Sequence, residues 1–89
     1  MTRTDAWKPK LIDGLDLCEV VDGYVVYEAG TDRVHYLNNT AALVLELCTG
    51  DNSRGDIVTA LRSAFHLPNA PDVEVNDILG RFASEGLIR

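Results

Sequence analysis

The sequence lacks any apolar run approaching the ~20 residues that a membrane-spanning helix needs. Its opening residues, Met1-Thr-Arg-Thr-Asp-Ala-Trp7-Lys-Pro-Lys10, are polar and charged, with no apolar stretch of signal-peptide type. No membrane association is expected, and a cytoplasmic location is. Basic residues are also scarce: eight Lys and Arg stand against 14 Asp and Glu, a net charge of −6. Contacts to nucleic-acid phosphates require a basic face, so binding to nucleic acid is not expected. Cysteine is limited to Cys18 and Cys48, and histidine to His35 and His66. Two cysteines thirty residues apart make no disulfide framework, and no Cys/His pair has metal-ligand spacing. Both cysteines read as small buried hydrophobes. Neither a metal nor any other cofactor is expected.

Catalytic motifs are missing as well. The chain has no G-x-S-x-G, no P-loop, no H-E-x-x-H and no glycine-rich dinucleotide turn. Ser53 and Asp56 could be drawn into a triad with His66 or His35. A helix cap and a first-turn acid account for the pair better. An enzyme is not expected.

What remains is 89 residues, 46% of them hydrophobic, enough for one domain with one modest core. Residues 1–14 read as a flexible N-terminal arm ending near Pro9 and Gly14, with Trp7 a candidate anchor. Residues 15–89 read as the single folded domain. Between Leu17-Cys-Glu-Val-Val21 and Tyr24-Val-Val-Tyr27 lies Asp22-Gly23, a two-residue hairpin signal. That turn would set Val20 opposite Val25 and Cys18 opposite Tyr27. Cys18, Val20, Val25 and Tyr27 would then share one face, opposite Glu19, Val21, Tyr24, Val26 and Glu28. A second turn at Ala29-Gly-Thr-Asp32 leads into Arg33-Val-His-Tyr-Leu37, whose alternation predicts a third antiparallel strand. Residues 11–32 also contain six acids and no base, a pattern that reads as a solubilising surface.

Three helices follow. Asn38 or Asn39 caps the first and Gly50 stops it; Ala41, Leu43, Val44, Leu45, Leu47 and Cys48 make it apolar nearly all round, hence central. Ser53-Arg-Gly-Asp56 opens the second, with Ile57, Val58, Leu61, Ala64 and Phe65 facing inward. The third runs from about Asp72 to Glu85 on a stripe of Val75, Ile78, Leu79 and Phe82. Gly86 ends it and Leu87-Ile88 forms a buried tail. The class is α+β: a three-stranded antiparallel sheet followed by three helices.

The segment Val34-His-Tyr-Leu37-Asn38-Asn-Thr-Ala41-Ala-Leu-Val44-Leu45-Glu-Leu47-Cys-Thr-Gly50 resembles the strand, Leu-Asn, Thr-Ala, apolar-helix and Gly order of PqqD-like peptide chaperones. These are also known as precursor peptide recognition elements of ribosomally synthesised, post-translationally modified peptides. Ser53, Ile57 and Leu61, then Val75, Ile78, Leu79, Phe82 and Gly86-Leu87-Ile88, continue the resemblance over residues 15–88. Glu74 stands where that family usually carries Asp. The resemblance implies a winged helix-turn-helix-like arrangement. It also implies a function, binding the leader segment of a precursor peptide by strand addition and presenting it to a modifying enzyme. Such an enzyme could be of the radical S-adenosylmethionine, leader peptidase or cyclase type. The end of the chain one residue past Leu87-Ile88 suggests the free-standing form. Carried onto this sequence, the receiving strand is Arg33, Val34, His35, Tyr36 and Leu37. The groove wall comes from Val75, Ile78, Leu79 and Phe82, with Arg33 and Arg81 as candidates to meet acidic leader side chains.

Two other functions compete. A winged-helix DNA-binding regulator would share the fold, but its third helix would bring Asp72, Glu74, Asp77 and Glu85 to the phosphates against the single Arg81. A small structural subunit could instead form a homodimer through the same strand edge.

Overall fold

Alternation along residues 15–37 produces the first half of the molecule as a meander. The computed structural model describes residues 7–89. It contains β1 (Leu15–Val20), β2 (Gly23–Glu28) and β3 (Arg33–Leu37), followed by α1 (Asn39–Leu47), α2 (Arg54–Ala64) and α3 (Asp72–Ser84). The sheet is antiparallel in the order β1-β2-β3, so among the described residues one edge of β1 and one edge of β3 have no neighbouring strand. This is the expected α+β class, with all six elements in the expected order.

The first hairpin turns one residue earlier than expected, which shifts its cross-strand register by two. Val20 pairs with Gly23 and Cys18 with Val25, so the turn residues are Val21 and Asp22, and the Val21 side chain is fully exposed. The glycine is needed at the start of β2 rather than in the turn. Gly23 has φ +152°, and a Cβ there would lie 2.5 Å from the carbonyl oxygen of Leu37 on β3. Side chains alternate with period two, so a two-residue slip leaves each residue on its expected face. Leu15, Leu17, Tyr24, Val26, Glu28, His35 and Leu37 point toward the helices; Asp16, Cys18, Val20, Val25, Tyr27, Val34 and Tyr36 point the other way.

Central α1 packs on β2, β3, α2 and α3. Its N-terminus is capped by the Asn38 side chain, which accepts from Ala41 N at 2.8 Å. Ser53 and Asp56 open α2 with reciprocal hydrogen bonds of 3.2 and 3.0 Å, a capping box. Ile57, Val58 and Leu61 are buried in the core with Val44, Leu45, Val75, Leu79, Phe82 and Leu87. Ala64 and Phe65 are exposed instead of inward, because α2 ends at Ala64 and its last turn overhangs the core. Cys48 is buried as expected; its thiol donates to Val44 O at 3.2 Å, and burial pushes its pKa up to about 12. Cys18 is exposed, because it lies on the sheet face that no helix covers.

Residues 9–12, expected within a loose arm, are stitched into the domain. Lys10 and Arg89 exchange two backbone hydrogen bonds, Leu11 N donates to Cys48 O, and Ile12 N donates to Leu87 O. Pro9 is fully buried, and Trp7 is half-buried against the core. Backbone pairing holds this segment, so no side-chain periodicity announces it. The rest of the expected arm, residues 1–6, lies outside the described residues.

Candidate functional site

The free edge of β3 runs beside α3 and meets it through side chains. The two backbones stand apart, with no Cα of α3 within 8 Å of a Cα of β3, and side chains occupy the cleft between them. Its orientation follows from one side chain. Arg81 Nη2 donates to the carbonyl of Tyr36 at 3.2 Å, so that carbonyl points away from β2. In an antiparallel ladder, alternate residues direct both their N–H and C=O to the same side. Val34 and Tyr36 therefore offer their backbone groups to the open edge, while Arg33, His35 and Leu37 pair with Glu28, Val26 and Tyr24.

Arg81 and Glu85 reach β3 from α3 and its C-cap, which sets the facing side of the helix. Glu74 and Ile78 lie on that same row, at i+3 and i+4 spacing. Ile78 is half-buried and the Arg81 side chain is half-exposed. No enclosed pocket exists among the described residues.

Beneath the strand lies a charged cluster. The imidazole of His35 is buried on the helix-facing side, with Nε2 2.5 Å from Glu28 Oε2 and Nδ1 3.3 Å from Glu85 Oε1. Arg33 Nε is 3.5 Å from Glu28 Oε2, and Arg81 Nε is 3.8 Å from Glu85 Oε1. The hydrogen bond from His35 holds the Glu28 carboxyl below its ordinary range; burial opposes this, and Arg33 adds to it. The Glu85 contact has ion-pair distance without hydrogen-bond alignment, and its Oε1 is buried with no hydrogen bond. Through His35 the cluster connects β2 and β3 to the end of α3, bridging the cleft at its floor.

The expected site residues thus divide into two groups. Arg33, Val34, Tyr36, Ile78 and Arg81 line the edge or the cleft. His35, Leu37, Val75, Leu79 and Phe82 are buried: His35 and Leu37 contribute backbone to the strand, and the other three hold α3 to the core. The His35 side chain is buried rather than offered to a ligand. It shares the parity of Leu37, so the strand that buries one buries the other. Glu28 and Glu85 were not anticipated. Glu28 was legible as a polar residue on the same sheet face as Val26, opposite a strand carrying an inward histidine. Nothing in the sequence near Glu85 marks it.

No group of three or more His, Cys, Asp or Glu among the described residues is arranged to hold a metal ion, and no helix is long and apolar enough to cross a membrane.

No curated protein matches the chain. Among solved structures, a lasso peptide synthetase B1 complexed with the leader peptide superposes with a TM-score of 0.75 at 17% identity, covering 93% of this chain and 99% of that one. TbiB1 in complex with the TbiA(beta) leader peptide gives a TM-score of 0.73 at 20% identity, covering 90% and 94%. At these identities the likeness is one of fold. The family model for Coenzyme PQQ synthesis protein D (PqqD) matches residues 23–88. That span runs from the first residue of β2 to the buried tail, and over it the chain belongs to the PqqD family.

Proposed function

We propose that this chain binds the leader segment of a ribosomally synthesised precursor peptide as an added strand along β3 and presents it to a maturation enzyme. The observation that carries this reading is the free β3 edge, with the backbone groups of Val34 and Tyr36 turned outward across the cleft from Ile78 and Arg81. An extended peptide gains backbone hydrogen bonds along such an edge, and its alternate side chains reach the cleft and its α3 wall. The Arg81 contact is compatible with this, because a carbonyl oxygen has two lone pairs and can accept from both a guanidinium and a peptide N–H. Both solved neighbours hold leader peptides, which supports the same use here. The module acts by binding, and the chemistry belongs to its partner, an enzyme of the radical S-adenosylmethionine, peptidase or cyclase type. Its place is the cytoplasm, where precursors are made. The acidic first turn of α3, with Asp72 and Glu74, disfavours the alternative of a DNA-reading helix.

The test is amide shift mapping of the 89-residue chain against synthetic leader peptides of candidate precursors. Shifts should centre on residues 33–37 and 78–81. Shifts centred on residues 53–62, with the β3 edge silent, would refute the site.

A further inference from the structure

The face of the sheet turned away from the helices is built like a contact surface. Two cross-strand rows cover it. One row is Cys18, Val25 and Tyr36; the other is Asp16, Tyr27 and Val34. Tyr36 is 72% exposed, Val34 55%, and Val20 and Tyr27 37% each. The Tyr27 ring is held in place by its hydroxyl, which donates to Asp32 Oδ1 at 2.6 Å. Contiguous exposed apolar area of this kind marks interaction sites on soluble domains.

The margin of this face is acidic. Asp16, Asp22 and Asp32 are exposed, none is in an ion pair among the described residues, and residues 11–32 contain no Lys or Arg. We propose that this outer sheet face docks the maturation enzyme, through an enzyme surface with an apolar centre and a basic rim. Charge complementarity selects that partner: a second copy of this chain would bring one acidic rim against another, and an anionic surface would be repelled. Continuity adds a second reason, resting on the leader-binding reading. A strand added at β3 extends the same face, and its outward side chains emerge beside Val34 and Tyr36. An enzyme seated here touches module and leader together and engages the loaded form preferentially.

The test uses Cys18→Lys and Val20→Lys, two exposed positions on β1, the strand farthest from the leader edge. The probe is the purified maturation enzyme of the same biosynthetic system, titrated against wild type and variants whose folding is verified by circular dichroism. Enzyme affinity should fall at least about tenfold in each variant, wild-type affinity should weaken with added salt, and leader affinity should stay within about twofold. If leader binding fails while enzyme binding still responds to the lysines, the surface stands and the leader reading falls. Unchanged enzyme affinity in both folded variants would overturn the proposal. So would a wild-type dimer in sedimentation equilibrium that Val20→Lys dissolves, since the face would then belong to a second copy.

Discussion

Replacing Val34 by proline isolates the proposed backbone recognition from everything else at the edge. The Val34 N–H is one of the outward-facing donors, as the Arg81 hydrogen bond to Tyr36 O and the ladder alternation require. Proline deletes that donor and leaves the β2–β3 ladder its partners. The preceding Arg33 is already extended, the conformation a residue before proline prefers. In the bound state a leader carbonyl would lose its donor. One net hydrogen bond is worth about 0.5–1.5 kcal/mol, and an unsatisfied buried acceptor costs about 1–3 kcal/mol. Leader affinity should therefore fall between about fivefold and 150-fold. Val34→Ala is the control: it trims the exposed side chain, keeps the N–H, and should bind within a few-fold of wild type. His35→Pro should behave differently, because it removes a donor facing Val26 and disrupts the buried imidazole between Glu28 and Glu85. A chain of this size has about 4–13 kcal/mol of stability, and a mid-sheet proline costs a large part of it. Calorimetric titration of the leader peptide, beside denaturation curves for each variant, separates the cases. A folded Val34→Pro chain with unchanged leader affinity would refute strand addition at this edge.

Gly23→Ala should lower stability by about 1–3 kcal/mol in urea denaturation, because its Cβ meets the Leu37 carbonyl at 2.5 Å in a backbone conformation with φ +152°; a neutral result would mean that β3 does not approach β2 this closely. Stability should also fall in acid through Glu28, whose carboxyl titrates lower in the folded chain than its ordinary value of about 4.3. A depressed folded pKa contributes stability that is complete above the unfolded value and disappears as pH drops through the folded one. Glu28→Gln should flatten that acid limb in thermal melts taken from pH 6 down to about pH 3, and an unchanged slope would show that the His35–Glu28 bond carries no linkage.

The elements were legible because their signals are side-chain periodicities: alternation for the strands, three- and four-residue spacing for the helices, and Ser53 with Asp56 for a cap. Register was not legible to the residue. A glycine can mark a turn or a close approach between strands, and Gly23 serves the second need while sitting where the first would be read. The docking of residues 9–12 was invisible for a related reason, since it rests on main-chain hydrogen bonds to Cys48, Leu87 and Arg89 that place no demand on residue type. The candidate site shares that property. The stripe Val75, Leu79 and Phe82 stood out in the sequence because it is core, and core is what periodicity detects. The edge itself is made of the N–H and C=O groups of Val34 and Tyr36, which any two residues but proline could supply. What sequence can specify is the frame: inward Val26, His35 and Leu37 fix which backbone groups turn outward, and Arg81 and Ile78 stand across the cleft from them. A strand-adding site of this kind is therefore located by parity. The residues to mutate are the ones whose neighbours are buried.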